Sequence, residues 1–167
     1  MLSVLPPVVG LGIKTSAPAL CLEQPRAPFS EGVRSIRAAL HLNDVDKRIK
    51  TVMFTSALPR EGKSSIASSF AAVLAHSEQV VLVEADLRAP SLKKIFNIPA
   101  DAQGLVELLT GEATPEQALY AHPGGFHVLP VGKIPTNPAE VVASMAMARL
   151  IEMLAERFDR VVLDSPP

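Results

Sequence analysis

The chain has 167 residues, 48% of them hydrophobic and 20% charged, which fits a soluble globular domain and excludes a disordered or fibrous chain. Sixteen Lys and Arg against seventeen Asp and Glu leave a formal net charge of −1, so no electrostatic reason exists to expect nucleic acid. One cysteine, Cys21, excludes an intramolecular disulfide and suits a reducing compartment, and the absence of Trp with a single Tyr, Tyr120, offers no stacking surface for single strands.

In chain order, the apolar opening LSVLPPVVGLGI is too short for a bilayer span of about 20 residues, and Pro6-Pro7 would break a helix there. With no basic residue before Lys14, it does not read as a signal peptide. Five prolines (Pro6, Pro7, Pro18, Pro25, Pro28) predict an extended lead-in over residues 1–29, with the folded domain running over 30–167. Ser30 is the expected cap of a helix through EGVRSIRAALHL, whose Val33, Ile36 and Leu40 recur at helical spacing. TVMFTS then predicts a strand, KSSIASSFAAVLAHS a helix with Ile66, Phe70, Val73 and Leu74 on one face, and QVVLVEAD a second strand. Short helices are expected at 105–109 and 115–120, a third strand in GFHVLPVG, one long helix over 139–157, and a fourth strand in RVVLD. Continuous apolar strands separated by helices require a parallel sheet covered on both faces, so the fold class is α/β with three layers. The sequence stops three residues after Asp164, where a domain of this kind is expected to continue.

The chemistry sits in SALPREGKSS, residues 56–65. Gly62-Lys63-Ser64 follows a strand and opens a helix, where free N–H groups and the positive end of the helix dipole favour phosphate oxygens. Lys63 would add a charge at the terminal phosphates, and the Ser64 hydroxyl would be a magnesium ligand. By itself such a triplet can be an ordinary helix start. Glu84, Asp86 and Asp164, however, all end strands on the same sheet edge, and Asp164 after its apolar run suits a magnesium-orienting carboxylate. The four histidines, His41, His76, His122 and His127, show no metal-ligand spacing.

Taken in order, TSALPREGKSS, VLVEADLRAPSLKKIF, PVGKIPTNPAEVV and RVVLDSPP resemble the cytoplasmic P-loop domain of bacterial tyrosine kinases, over residues 30–167. The resemblance implies ATP and Mg²⁺ as cofactors, with the nucleotide on Pro59, Arg60, Glu61, Gly62, Lys63, Ser64 and Ser65. It implies catalytic roles for Lys63, Glu84, Asp86 and Asp164, with Ser64, Asp86 and Asp164 at the metal, and leaves open whether Glu84 or Asp86 is the base. Arg88 and Pro90 also match the family pattern. Glu31, Arg34 and Arg37 carry the E-x-x-R-x-x-R spacing through which such subunits pack into rings. The implied function is autophosphorylation on tyrosine in capsule or exopolysaccharide export. The implied setting is the inner face of the cell membrane, through a fused or separate membrane co-polymerase.

Two positions depart from the family pattern. Arg60 stands where glycine is common, so the loop is expected to keep an ordinary backbone conformation there. Glu84 stands where Asp is common, moving the carboxylate by roughly 1–1.5 Å, which matters where positioning is most of the catalysis. Two other functions stay open: a nucleotide-switch ATPase of the partition or division type, disfavoured because Leu58 replaces that group's extra lysine, and a non-catalytic ATP-binding regulator of an exporter.

Overall fold

Val80–Glu84 and Arg160–Asp164 are buried at every position, as central parallel strands under helices on both faces must be. In this computed structural model, residues 16–44 and 48–167 are described. The elements are α1 (Ala17–Glu23), α2 (Pro28–Asn43), β1 (Thr51–Phe54), α3 (Lys63–Leu74), β2 (Val80–Glu84), α4 (Leu92–Ile95), α5 (Leu105–Thr110) and α6 (Pro115–Ala118). They continue with β3 (Tyr120–Ala121), β4 (His127–Leu129), α7 (Pro138–Val142), α8 (Met145–Arg157) and β5 (Arg160–Asp164). Strand order is β1-β5-β2-β4-β3, parallel except for the antiparallel pair β3 and β4.

Side chains alternate across the strands, so β2, β4 and β5 each feed two cores. Val80, Leu82 and Val162 pack with Phe70 and Leu74 of α3, Phe29 and Val33 of α2, and Leu20 of α1. Val81, Val83, Val161 and Leu163 pack on the other face with Leu105 of α5 and Leu150 and Leu154 of α8. The register pairs Phe54 with Asp164 and Asp164 with Glu84, which aligns the carboxyl ends of β1, β5 and β2.

Several elements differ from the sequence expectation. The extended lead-in gives way to a helix at Ala17–Glu23 that buries Leu20 and Cys21, and α2 begins at Pro28, so a boundary at residue 30 falls inside a helix. The reason is positional: Pro18 and Pro28 occupy first-turn sites, where proline removes no helical hydrogen bond and its φ is already suitable. Ala27, not Ser30, is the cap residue of α2, and Ser30 lies buried within it. The apolar opening, residues 2–13, lies outside the described residues.

The long helix over 139–157 is two helices. Ser144 takes an extended conformation between them, and its hydroxyl accepts from Met147 N at 3.1 Å, which caps α8 and halts α7. Among the described residues, no helix is long and apolar enough to cross a membrane.

Candidate functional site

The loop between β1 and α3 is built by its own residues. Leu58 N donates to Glu61 Oε2 at 3.0 Å and Ser56 Oγ donates to Leu58 O at 2.9 Å, folding residues 56–61 into a tight turn. Gly62, at φ 85°, reverses the chain into α3, a left-handed position where a side chain is costly. The first amide to bond back into the helix is Ile66 N, to Gly62 O at 2.9 Å, so the amides of Lys63, Ser64 and Ser65 stand at the start of α3 without helical partners. That cluster of N–H groups at the positive end of a helix suits phosphate oxygens.

Arg60 corrects one expectation: its φ is 67°, so the loop does not keep an ordinary conformation there. The turn closed by Glu61 dictates the backbone, and the arginine is carried in a conformation that glycine would adopt more cheaply.

Three carboxylates converge on the sheet edge beside this loop, in different states. Asp86 Oδ2 accepts from Lys63 Nζ at 2.8 Å, while its Oδ1 accepts from the amides of Ala89 at 3.1 Å and Arg88 at 3.3 Å. Burial works to raise the Asp86 carboxyl, but the Lys63 ammonium and the two amides outweigh it and hold its pKa below the ordinary range. Asp164 Oδ1 lies 3.8 Å from Lys63 Nζ, and both its oxygens are buried with no hydrogen-bond partner at normal geometry. Burial pushes the Asp164 carboxyl up and the Asp86 charge adds to the rise, while the nearby Ser64 hydroxyl and Lys63 ammonium draw it back in part.

Glu84 is placed differently from the sequence reading. Its side chain is wholly buried; Oε1 accepts from the amides of Ser91 and of Leu92, the latter at 2.7 Å, and Oε2 from Val131 N at 3.1 Å. Burial raises its pKa despite those three amides. Its carboxylate therefore ties the start of α4 to the end of β4 and does not point at the loop.

A cleft of about 700 Å³ opens over this arrangement, lined by Pro59, Arg60, Lys63 and Ser64 from the loop, by Asp86, Arg88, Ala89 and Ser91, and by Pro166 and Pro167. Four of the seven loop residues expected at the nucleotide face the cleft. Glu61 is occupied with closing the turn, Gly62 with reversing the chain, and Ser65 gives its carbonyl to Ser69 Oγ at 2.7 Å. Ala89 and Ser91 were not foreseen, since nothing in AP or PS marks a residue brought round by a turn after Asp86.

The donor set fits a small hard cation. A buried carboxylate with two unpaired oxygens, beside a serine hydroxyl and a phosphate cradle, matches magnesium, which takes one or two protein oxygens and completes its shell with phosphates and water. Among the described residues no group of three His, Cys, Asp or Glu forms an all-protein metal site.

The expected subunit-contact residues lie on α2. Glu31 and Arg34 are exposed, with Arg34 Nη1 donating to Pro25 O at 2.8 Å. Arg37 donates to Val73 O at 3.4 Å and to Ser77 Oγ at 3.3 Å, so it fastens α2 to the end of α3 within its own chain.

No model of a known protein family matches the chain. Individual proteins do. It is 35% identical over 158 residues to the tyrosine-protein kinase YwqD of Bacillus subtilis, covering 93% of this chain and 66% of that protein. It is 37% identical over 157 residues to the succinoglycan biosynthesis transport protein ExoP of Rhizobium meliloti, covering 87% of this chain and 19% of the relative. The crystal structure of the chimerical protein CapA2B2 matches with a TM-score of 0.82 and 32% identity, over 93% of this chain and 69% of that one. With the phosphate loop, the Asp86 strand end and Asp164 all in place, the chain belongs to the bacterial tyrosine kinase family.

Proposed function

We propose that this chain binds ATP in the cleft beside Lys63 and transfers its γ-phosphoryl group to a protein tyrosine. The observation that carries this reading is the placement of the Lys63 ammonium between Asp86 and Asp164, whose buried oxygens accept no hydrogen bond at normal geometry, at the opening of α3. The amides of Lys63, Ser64 and Ser65 and the Lys63 charge hold the phosphates, with Pro59 and Arg60 along the cleft wall. Ser64 Oγ and the Asp164 carboxylate would hold magnesium, with Asp86 beside it; when bound, the ion neutralises charge on the phosphates.

In the transfer, the phenolic oxygen bonds to the γ-phosphorus as the bond to the β,γ-bridging oxygen breaks, and ADP leaves with that electron pair. The phenolic proton goes to a carboxylate. Asp86 faces the cleft, whereas Glu84 is committed to three backbone amides, so Asp86 takes the proton and Glu84 supports the loop that carries it. A carboxylate held below its ordinary pKa is a weak base. With a phenol of pKa about 10 and a loose transition state, proton removal comes late and positioning supplies most of the rate.

Tyr120, half-buried in β3, does not line the cleft, so the acceptor is a tyrosine other than Tyr120. The likeness to ExoP supports a role in capsular or exopolysaccharide export with a membrane co-polymerase as partner, which would place the domain at the inner face of the membrane. Glu31 and Arg34 on the outer face of α2 support self-association into a ring.

Mutation of Lys63 to Met in the full-length protein tests the reading. Phosphotyrosine on purified protein should be lost; a signal that persists undiminished would defeat it.

A further inference from the structure

Among the described residues outside glycine, only Arg60 and Asn97 have positive φ, at 67° and 57°. Asparagine adopts that region readily, whereas arginine adopts it only where its surroundings force it. Here the surroundings do so: Glu61 Oε2 holds Leu58 N, Ser56 Oγ holds Leu58 O, and Pro59 fixes its own φ just before the turn. The left-handed residue lines the cleft with Lys63 and Ser64.

The charge balance of the cleft gives that placement a purpose. The Lys63 ammonium is opposed by Asp86 at 2.8 Å and Asp164 at 3.8 Å, so its charge is largely spent before a polyphosphate arrives. Arg60 and Arg88 are the other cations of the lining, and neither guanidinium has a hydrogen-bond or ion-pair partner among the described residues. Arg88 also borders a separate groove formed with Pro138, Ala139 and Val142, whereas Arg60 belongs to the phosphate loop itself.

We propose that Arg60 contacts the terminal phosphoryl group of the bound nucleotide, an arginine supplied from the phosphate loop itself. This rests on the phosphoryl-transfer reading above. A planar guanidinium matches phosphate oxygens in pairs, and charge set where the transferred group develops it favours the transition state over the ground state. The consequence is discrimination between a triphosphate and a diphosphate that Lys63, held by two carboxylates, does not supply alone.

The test compares wild type, Arg60→Gly, Arg60→Gln and Arg60→Lys in the full-length protein. Affinities for ADP and for the β,γ-imido analogue of ATP are measured by calorimetry with magnesium, alongside melting temperature. Arg60→Gly should melt at or above the wild-type temperature, because glycine fits the left-handed position. Both neutral variants should lose at least about 10-fold in affinity for the triphosphate analogue while ADP affinity changes by less than about 3-fold, with partial recovery in Arg60→Lys. Equal losses for both nucleotides, or no loss for either, would overturn the assignment and leave the kinase reading standing. Failure of the wild-type protein to bind either nucleotide would overturn the kinase reading and this one with it.

Discussion

Asp164 shows how a single side chain can be costly to the fold and necessary to the site. Both carboxylate oxygens are buried and unpartnered, and burial raises the pKa, so the folded chain binds this proton more readily than the unfolded chain does. The sign follows: the Asp164 contribution to stability is fully present below its unfolded value and is lost as pH rises through its raised folded pKa. Asp86 has the opposite sign, since its pKa is depressed; its contribution is present above the unfolded value and is lost as pH falls through the folded one. Replacing Asp164 with Asn should therefore stabilise the protein by about 1 kcal/mol in urea unfolding at neutral pH, while phosphoryl transfer falls below detection. A destabilised Asp164→Asn would show that the carboxylate is well satisfied after all. Lys63, Asp86 and Asp164 were legible in the sequence because each sits in a short local pattern at a strand end. The role of Glu84 was not, because its three amide donors come from residues 91, 92 and 131, which only the folded chain brings together.

At the scale of elements, a buried ion cluster fixes how α2 meets the sheet. The Arg160 side chain, 1% exposed, opens β5 and pairs through Nη2 with Asp44 Oδ2 at 2.8 Å and through Nε with Glu78 Oε2 at 2.9 Å, and it also donates to Ile49 O. The Arg160 hydrogen bond is the main reason the Asp44 carboxyl lies below its ordinary pKa of 3.8. Arg160→Ala strands two acids at the end of α2 and the start of β2, and should cost about 3–5 kcal/mol in denaturant unfolding. Protonating Asp44 removes part of the same support, so stability from this pair is present above pH 3.8 and is lost as pH falls through the depressed folded pKa. Ser144→Ala should cost about 1 kcal/mol by removing the cap of α8, read as a lower urea midpoint with unchanged slope. The strands and α3 could be read from apolar runs and helical spacing. The break at Ser144 and the helix at Ala17–Glu23 could not, because a capping serine and first-turn prolines carry the same letters as a mid-helix serine and a helix breaker.

For the whole molecule, the proposed ring is tested at α2. Arg37 is tied to α3 within its own chain, so its loss would change stability as well as contacts between subunits. Arg34 is exposed and holds one surface bond within its own chain, to Pro25 O, so it offers the cleaner probe: Arg34→Ala should shift the protein toward monomer in light scattering with only a small drop in its urea midpoint, and an unchanged oligomer would defeat the ring. The central claim is the fate of the γ-phosphate. Full-length protein incubated with magnesium and γ-labelled ATP should carry the label on phosphotyrosine, and the Lys63→Met protein should carry none. Label released as inorganic phosphate with no phosphotyrosine formed would contradict the account and identify a nucleotide-switch ATPase.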